Sequence, residues 1–138
     1  EGILQDKVKR RGLDWEIASS GTSGYHVGQL PDSRSMDIAE RHGIDLSGQR
    51  SQRFVPGFFN EYDFILAMDT QNYEDLLSMC SSDKERNQVQ LMMDYGEDPT
   101  VKDVPDPYYG GSDGFAEVYD LLDEATEGFL QAMILARD

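Results

Sequence analysis

Two stretches carry residues whose types and spacing could do chemistry. In CSSDKER, Cys80 stands six positions ahead of Arg86. With Cys-x5-Arg spacing, a loop of backbone amides and a guanidinium can surround a phosphate while a thiolate attacks it. In DVPDPYYGGSDGF, Asp106 precedes Pro107, which holds it out of helical geometry, and Gly110 and Gly111 turn the chain afterwards. That arrangement can fix a carboxyl group over a cleft. Tyr108 and Tyr109 beside it offer flat, partly apolar walls to an aromatic group. Read alone, an ordinary Asp-Pro turn with surface tyrosines is the simpler account of these residues.

The elements that must position such groups separate the two stretches. A working Cys-x5-Arg loop needs an apolar strand before it, small residues inside it and a helix after it. LLSM, ahead of Cys80, reads as a helix end, and NQVQLMM, after Arg86, reads as a strand. Asp83 and Glu85 would also face a phosphate dianion within the loop, with Lys84 only a partial offset. Cys80 is therefore expected to be a small apolar residue at a helix end.

Along the chain, Ile3, Leu4 and Val8 make an apolar stripe at helical spacing that Gly12 closes. Trp15 to Ser20 reads as a short strand running into a Gly/Ser loop. A helix follows with Asp32 as N-cap. Met36, Ala39 and His42 lie on its inward face, and Gly43 ends it with Ile44 packing back. EYDFILAMD (61–69) has the continuous apolar run of a strand buried on both faces. TQNYEDLLSMC (70–80) suits a helix with Leu76, Leu77 and Cys80 inward, and QVQLMMDYG (88–96) a third strand. After a polar loop over 103–114, Phe115, Val118, Leu122, Ala125, Phe129 and Met133 recur by three or four in a last helix. Alternating helices and strands imply an α/β fold of three layers, a parallel sheet with helices on both faces. Chemistry in such sheets gathers beyond the carboxyl ends of the strands. Those ends deliver SSGTSGYH, MDTQN and the DPYYGG loop.

The composition narrows the partners. The 138 residues carry a net charge of −15, which argues against nucleic acid and anionic membrane as partners. An anionic substrate must then be drawn in by local positive potential. A single cysteine excludes an internal disulfide and fits a cytoplasmic, reducing location. No residues have metal-ligand spacing, no cofactor is implied, and no apolar run reaches membrane-spanning length. Length and the absence of a linker make residues 1–138 one domain.

Several segments together resemble the low-molecular-weight protein tyrosine phosphatases. Asp-Pro-Tyr-Tyr-Gly after a last strand resembles their general-acid loop. TSGYHVGQLPDSRS is similar to the loop and helix after their second strand, RHGIDLSGQRSQRF to their Arg-His-Gly-Ile segment, and YDFILAMDTQNYEDL to their third strand and helix. EGIL resembles the helix just after their phosphate loop, where Ser-Pro-(Met)-Ala-Glu-Gly is common. The resemblance departs at Ala18, where relatives often have Asp, and at Ser51-Gln52-Arg53, where Ala-Arg-Gln is more usual.

The resemblance implies a sheet of four strands in the order 2-1-3-4. Its central first strand and Cys-x5-Arg phosphate loop would precede Glu1, so residues 1–138 by themselves would lack the nucleophile and be inactive. It implies hydrolysis of phosphotyrosine in proteins, or of small aryl phosphates, through a cysteinyl-phosphate without metal. Asp106 would be the general acid and then the base. Tyr25 and Tyr108 would flank the substrate ring and Tyr109 would line the same loop, where the paired tyrosines of the family can be phosphorylated. Asp69 would stand behind the phosphate loop, and Ser19 and His42 would brace it by hydrogen bonds. Alternatives of the same fold are an arsenate reductase, which needs further cysteines, and a protein arginine phosphatase, which the paired tyrosines fit less well. A non-catalytic receiver-like module is the alternative of another class, with Asp69 as its strand-end carboxylate.

Overall fold

The computed structural model describes residues 1–21, 28, 30, 32–50, 52–105 and 111–137. Helix α1 (Gly2–Arg10) ends as its sequence requires. Gly12 takes φ +66°, the Leu13 N–H donates to the Val8 carbonyl at 3.0 Å, and the Gly12 N–H donates to that of Lys9 at 3.2 Å. This paired closure satisfies carbonyls the helix leaves open, and a positive φ favours glycine. Helix α2 (Ser33–Arg41) repeats the device. Asp32 accepts from the Arg34 N–H at 2.8 Å, Gly43 has φ +79°, and the Ile44 N–H reaches the Ala39 carbonyl at 2.8 Å. Ile44 is buried beside that turn.

Short helix α3 (Phe58–Glu61) leads to strand β1 (Ile65–Ala67), followed by helix α4 (Thr70–Met79), helix α5 (Asp83–Gln88) and strand β2 (Val89–Leu91). A 3-10 turn (Met92–Tyr95) and the long helix α6 (Gly111–Arg137) complete the order. Strands β1 and β2 are parallel, with Ile65 opposite Val89 and Ala67 opposite Leu91. A separate parallel bridge joins Gly21 to Arg53. Because side chains alternate along a strand, the sheet feeds two cores. Leu66 packs with Leu4, Val8, Met92, Met93, Ala125, Phe129 and Leu130 beneath α1 and α6. Ile65 and Ala67 point the other way, into the cluster of Phe54, Phe59, Leu76 and Val89. The result is a small parallel sheet flanked by helices.

The structure corrects five expectations. Trp15–Ser20 forms no strand. Leu13, Trp15 and Ile17 are half-buried while Asp14, Glu16 and Ala18 are exposed, so the period of two persists. Among the described residues, however, no neighbouring strand supplies its ladder. The run 61–69 shrinks to Ile65–Ala67 and is not buried throughout, since Phe64 keeps 43% and Met68 37% of its surface exposed. The run 88–96 pairs only over Val89–Leu91 before tightening into the 3-10 turn. Finally, α5 holds Arg86 inside a helix, where the sequence reading had it leading into a strand, and α6 begins at Gly111, inside the expected loop.

Helices α1 and α6 are also tied by charge. Lys7 Nζ lies 2.9 Å from Asp123 Oδ1 and 3.2 Å from Glu127 Oε1, and Arg11 Nη2 donates to both Glu127 oxygens at 2.7 Å. The Arg11 hydrogen bond is the main reason that the Glu127 carboxyl is held down to about 2, with Gln131 and Lys7 adding. Burial alone would lower the Lys7 pKa, but hydrogen bonds to Asp123 and Glu127 outweigh it and leave it raised. A carboxyl depressed in the fold stabilises above its unfolded pKa, and that contribution fades as pH falls towards the folded value. Since 36% of the Glu127 side chain is exposed, solvent screening reduces it to about 1 kcal/mol. Glu127→Gln is thus expected to lower stability by about 1 kcal/mol at pH 7 and by progressively less from pH 4.5 towards 2. Urea unfolding of both proteins across that range checks it. A difference independent of pH would exclude this origin.

Candidate active site

The carboxyl end of β1 is built from its own continuation. Asp69 is extended (φ −147°, ψ 172°) and caps α4, its Oδ1 accepting from the Asn72 N–H at 2.7 Å. A second carboxylate arrives from far along the chain. Asp103 Oδ1 accepts from the Thr70 N–H at 2.8 Å, and the Val104 N–H donates to the Met68 carbonyl at 2.7 Å. The stretch that runs into the Asp-Pro-Tyr-Tyr motif is therefore fastened, at residues 103 and 104, to the MDTQN segment. Asp106, Tyr108, Tyr109 and Tyr25 lie outside the described residues.

With two carboxylates on its first turn, the positive end of α4 is already compensated. Asp69, spent on a cap, has the bonding of a structural carboxylate rather than of a free phosphoacceptor. Ser19 sits apart on the Gly/Ser side. Its Oγ donates to Glu1 Oε1 at 2.5 Å and its carbonyl accepts from Gln52 Nε2 at 2.9 Å, next to the Gly21–Arg53 bridge. That places it at the amino end of α1. His42 ends α2 on the surface, its ring stacked on Tyr119 with centroids 3.9 Å apart and planes 13° from parallel. It does not face into the core as its helical spacing suggested, because the helix ends there and α6 offers an aromatic face. Among the described residues no hydrogen bond links His42, Ser19 and Asp69 to one another.

Cys80 has none of the features of a nucleophile. It closes α4, and its thiol donates to the Leu76 carbonyl at 3.4 Å. Burial pushes its pKa up, Glu85 adds to this, and Arg86 opposes it only weakly. Arg86 is paired within α5 to Asp83 at 2.8 Å. Ser82 caps that helix by accepting from the Glu85 N–H at 3.2 Å. The sequence signal for α5 was present in Ser82-x-x-Glu85, a cap residue with a glutamate three positions on. Asp103 and Tyr119 had no such signal, since their partners lie far away in sequence. Among the described residues, no cluster of three His, Cys, Asp or Glu side chains could hold a metal, and no helix is long and apolar enough to cross a membrane.

Comparison with known proteins gives this arrangement a context. The family model described as low molecular weight phosphotyrosine protein phosphatase matches residues 1–137. The Synechocystis sp. protein slr0328 is 38% identical over 135 residues, which span 96% of this chain and 85% of that protein. Among solved structures, a protein tyrosine phosphatase from Entamoeba histolytica superposes with a TM-score of 0.91 at 31% identity. That match covers 100% of this chain and 88% of the other. The Drosophila arginine phosphatase DARP does so with a TM-score of 0.88 at 29% identity, covering 96% and 87%.

Proposed function

Because the chain belongs to the low molecular weight phosphotyrosine protein phosphatase family, we propose that it hydrolyses phosphotyrosine in proteins, and small aryl phosphates, through a cysteinyl-phosphate. A thiolate attacks phosphorus, the S–P bond forms and the P–O bond to the phenol breaks. Asp106 gives its proton to the departing phenolate oxygen, and its carboxylate then takes a proton from the water that cleaves the S–P bond. Inorganic phosphate and the thiolate are released. Tyr25 and Tyr108 flank the substrate ring, and Tyr109 lines the same loop. Asp69 buttresses the phosphate loop from behind, and Ser19 and His42 brace it.

The family match over residues 1–137 is the observation that carries this reading. In it, the nucleophile and clamp arginine lie N-terminal to Glu1, following a central strand in a four-stranded sheet of order 2-1-3-4. The half-buried, unpaired alternation of Leu13, Trp15 and Ile17 supports such a strand beside them, as does the exposure of Phe64 and Met68 at the ends of β1. Residues 1–138 alone would then have no nucleophile. The bonding of Cys80, the chain's single cysteine here, is consistent with that.

Cys80→Ser tests the assignment in the protein expressed from its complete reading frame. Turnover of phosphotyrosine is expected to stay within about twofold, the scale of a near-neutral volume-conserving change. Iodoacetate should still inactivate the variant, with inorganic phosphate protecting it, because the reactive thiol lies elsewhere. A folded Cys80→Ser protein without activity, or one indifferent to iodoacetate, would sink the proposal. The likeness to DARP favours one competing substrate, phosphoarginine. Paired tyrosines after Asp106-Pro107 suit a flat aromatic ring better, so kcat/KM for phosphotyrosine should exceed that for phosphoarginine.

A further inference from the structure

We infer that Asp103 is a positioning residue for the general-acid segment, holding the start of that segment against the carboxyl end of β1 through the Thr70 N–H. The inference rests on the function proposed above and extends it to a residue outside the Asp-Pro-Tyr-Tyr motif. Two hydrogen bonds do the holding: Asp103 Oδ1 to the Thr70 N–H at 2.8 Å, and the Val104 N–H to the Met68 carbonyl at 2.7 Å. They grip the backbone on either side of Asp69. The second is a backbone bond that any residue at 104 except proline could make. The first depends on the side chain, and it is charge-assisted at the positive end of α4.

Chain geometry passes this anchoring on. Three virtual bonds of about 3.8 Å confine the Asp106 Cα to within about 11 Å of the Asp103 Cα, and Pro105 freezes one of the intervening dihedrals. Fastening residues 103 and 104 thus sets the origin from which Asp106 reaches the leaving oxygen. A shift of about 1 Å in such a group can cost about 10²-fold in rate. Asp103 touches no reacting atom in this account. Its effect passes through Asp106.

The donor can be removed as cleanly as the acceptor. Thr70 is the first residue of α4, a position where proline is tolerated, and Asp69 before it is already extended, as a residue preceding proline must be. Thr70→Pro therefore deletes the N–H without breaking the helix. The test measures kcat/KM of the full-length protein on phenyl phosphate, a poor leaving group, and on p-nitrophenyl phosphate, a good one. Asp103→Ala and Thr70→Pro are each expected to lower kcat/KM for phenyl phosphate about tenfold, and for p-nitrophenyl phosphate by less than about threefold. The double variant should be no worse than either single one. Asp103→Asn, whose amide oxygen can still accept from Thr70, should recover most of the loss. In an Asp106→Asn background, Asp103→Ala should change nothing further.

Equal losses on both substrates in folded Asp103→Ala protein, or additive losses with Thr70→Pro, would overturn the inference while leaving the phosphatase intact. If Asp103→Ala does not fold, Thr70→Pro carries the same comparison. A parent protein with no phosphatase activity would overturn the proposed function, and this inference with it.

Discussion

Asp106→Asn is expected to lower kcat/KM for phenyl phosphate by about 10²–10⁴-fold, the range that a positioned general acid contributes. The loss for p-nitrophenyl phosphate should be far smaller. The reason lies in the charge on the departing oxygen. A phenolate of high pKa cannot leave without a proton, whereas nitrophenolate carries its charge on the ring and leaves unaided. The ratio kcat/KM is the right quantity because it contains only steps up to the first irreversible one, here loss of the phenol. In the proposed mechanism, hydrolysis of the cysteinyl-phosphate, where the same carboxylate would serve as base, enters kcat alone. A Brønsted plot over a series of substituted phenols should steepen in the variant. The basic limb of its pH profile should also disappear, since the asparagine has no proton to lose. Equal losses across the series would remove Asp106 from the role of acid.

The second large effect concerns the fold that holds this site. Gly128 lies on α6 where the helix crosses the 3-10 turn. A Cβ built there would stand 2.1 Å from the Tyr95 carbonyl oxygen and 3.2 Å from its carbon. Both are backbone atoms and cannot swing aside. Nearby, Phe129 packs edge-on against Tyr95 and Trp15, and Leu130 is wholly buried, so separating the two elements would open the principal core. In an exposed helix interior, Gly→Ala would gain about 1 kcal/mol. Here overpacking costs about 1–3 kcal/mol or more and reverses the sign. Gly128→Ala is expected to lose about 2 kcal/mol net, a fall in Tm of roughly 6–10 °C for a domain of this size. Calorimetry on the two proteins measures it directly. An unchanged or raised Tm would mean that α6 does not approach the turn this closely.

These effects differ in how visible they were beforehand. Asp106 is legible only through the family resemblance, because Asp-Pro-Tyr-Tyr-Gly read alone is an ordinary turn and gains meaning from the motifs that surround it in order. Gly128 had no such neighbours. An isolated glycine inside a helical pattern reads as a small defect until the carbonyl that crosses it is known. The contact of Asp103 with Thr70 was equally hidden, since 33 residues separate them. Likewise, the spacing of His42 promised an inward side chain, but the stack on Tyr119 could not be foreseen from α2 alone.

What the sequence determined by itself is local. The N-cap of Asp32 and the closures at Gly12 and Gly43 follow from hydrogen bonds within a few residues and from the freedom of glycine at positive φ. The burial of Leu4, Val8, Leu76, Ala125 and Phe129 follows from apolar periodicity alone. The family resemblance, too, was legible in short motifs kept in order. Only the tertiary structure decided which of those segments become strands and what they meet. Trp15–Ser20 keeps a strand's alternation yet is no strand here, because a ladder needs a second chain segment at hydrogen-bonding distance and propensity cannot supply one. Cys80 and Arg86 share a suggestive spacing, but one closes α4 on the Leu76 carbonyl and the other pairs with Asp83 inside α5. Spacing records which groups could meet. Packing fixed where each one points.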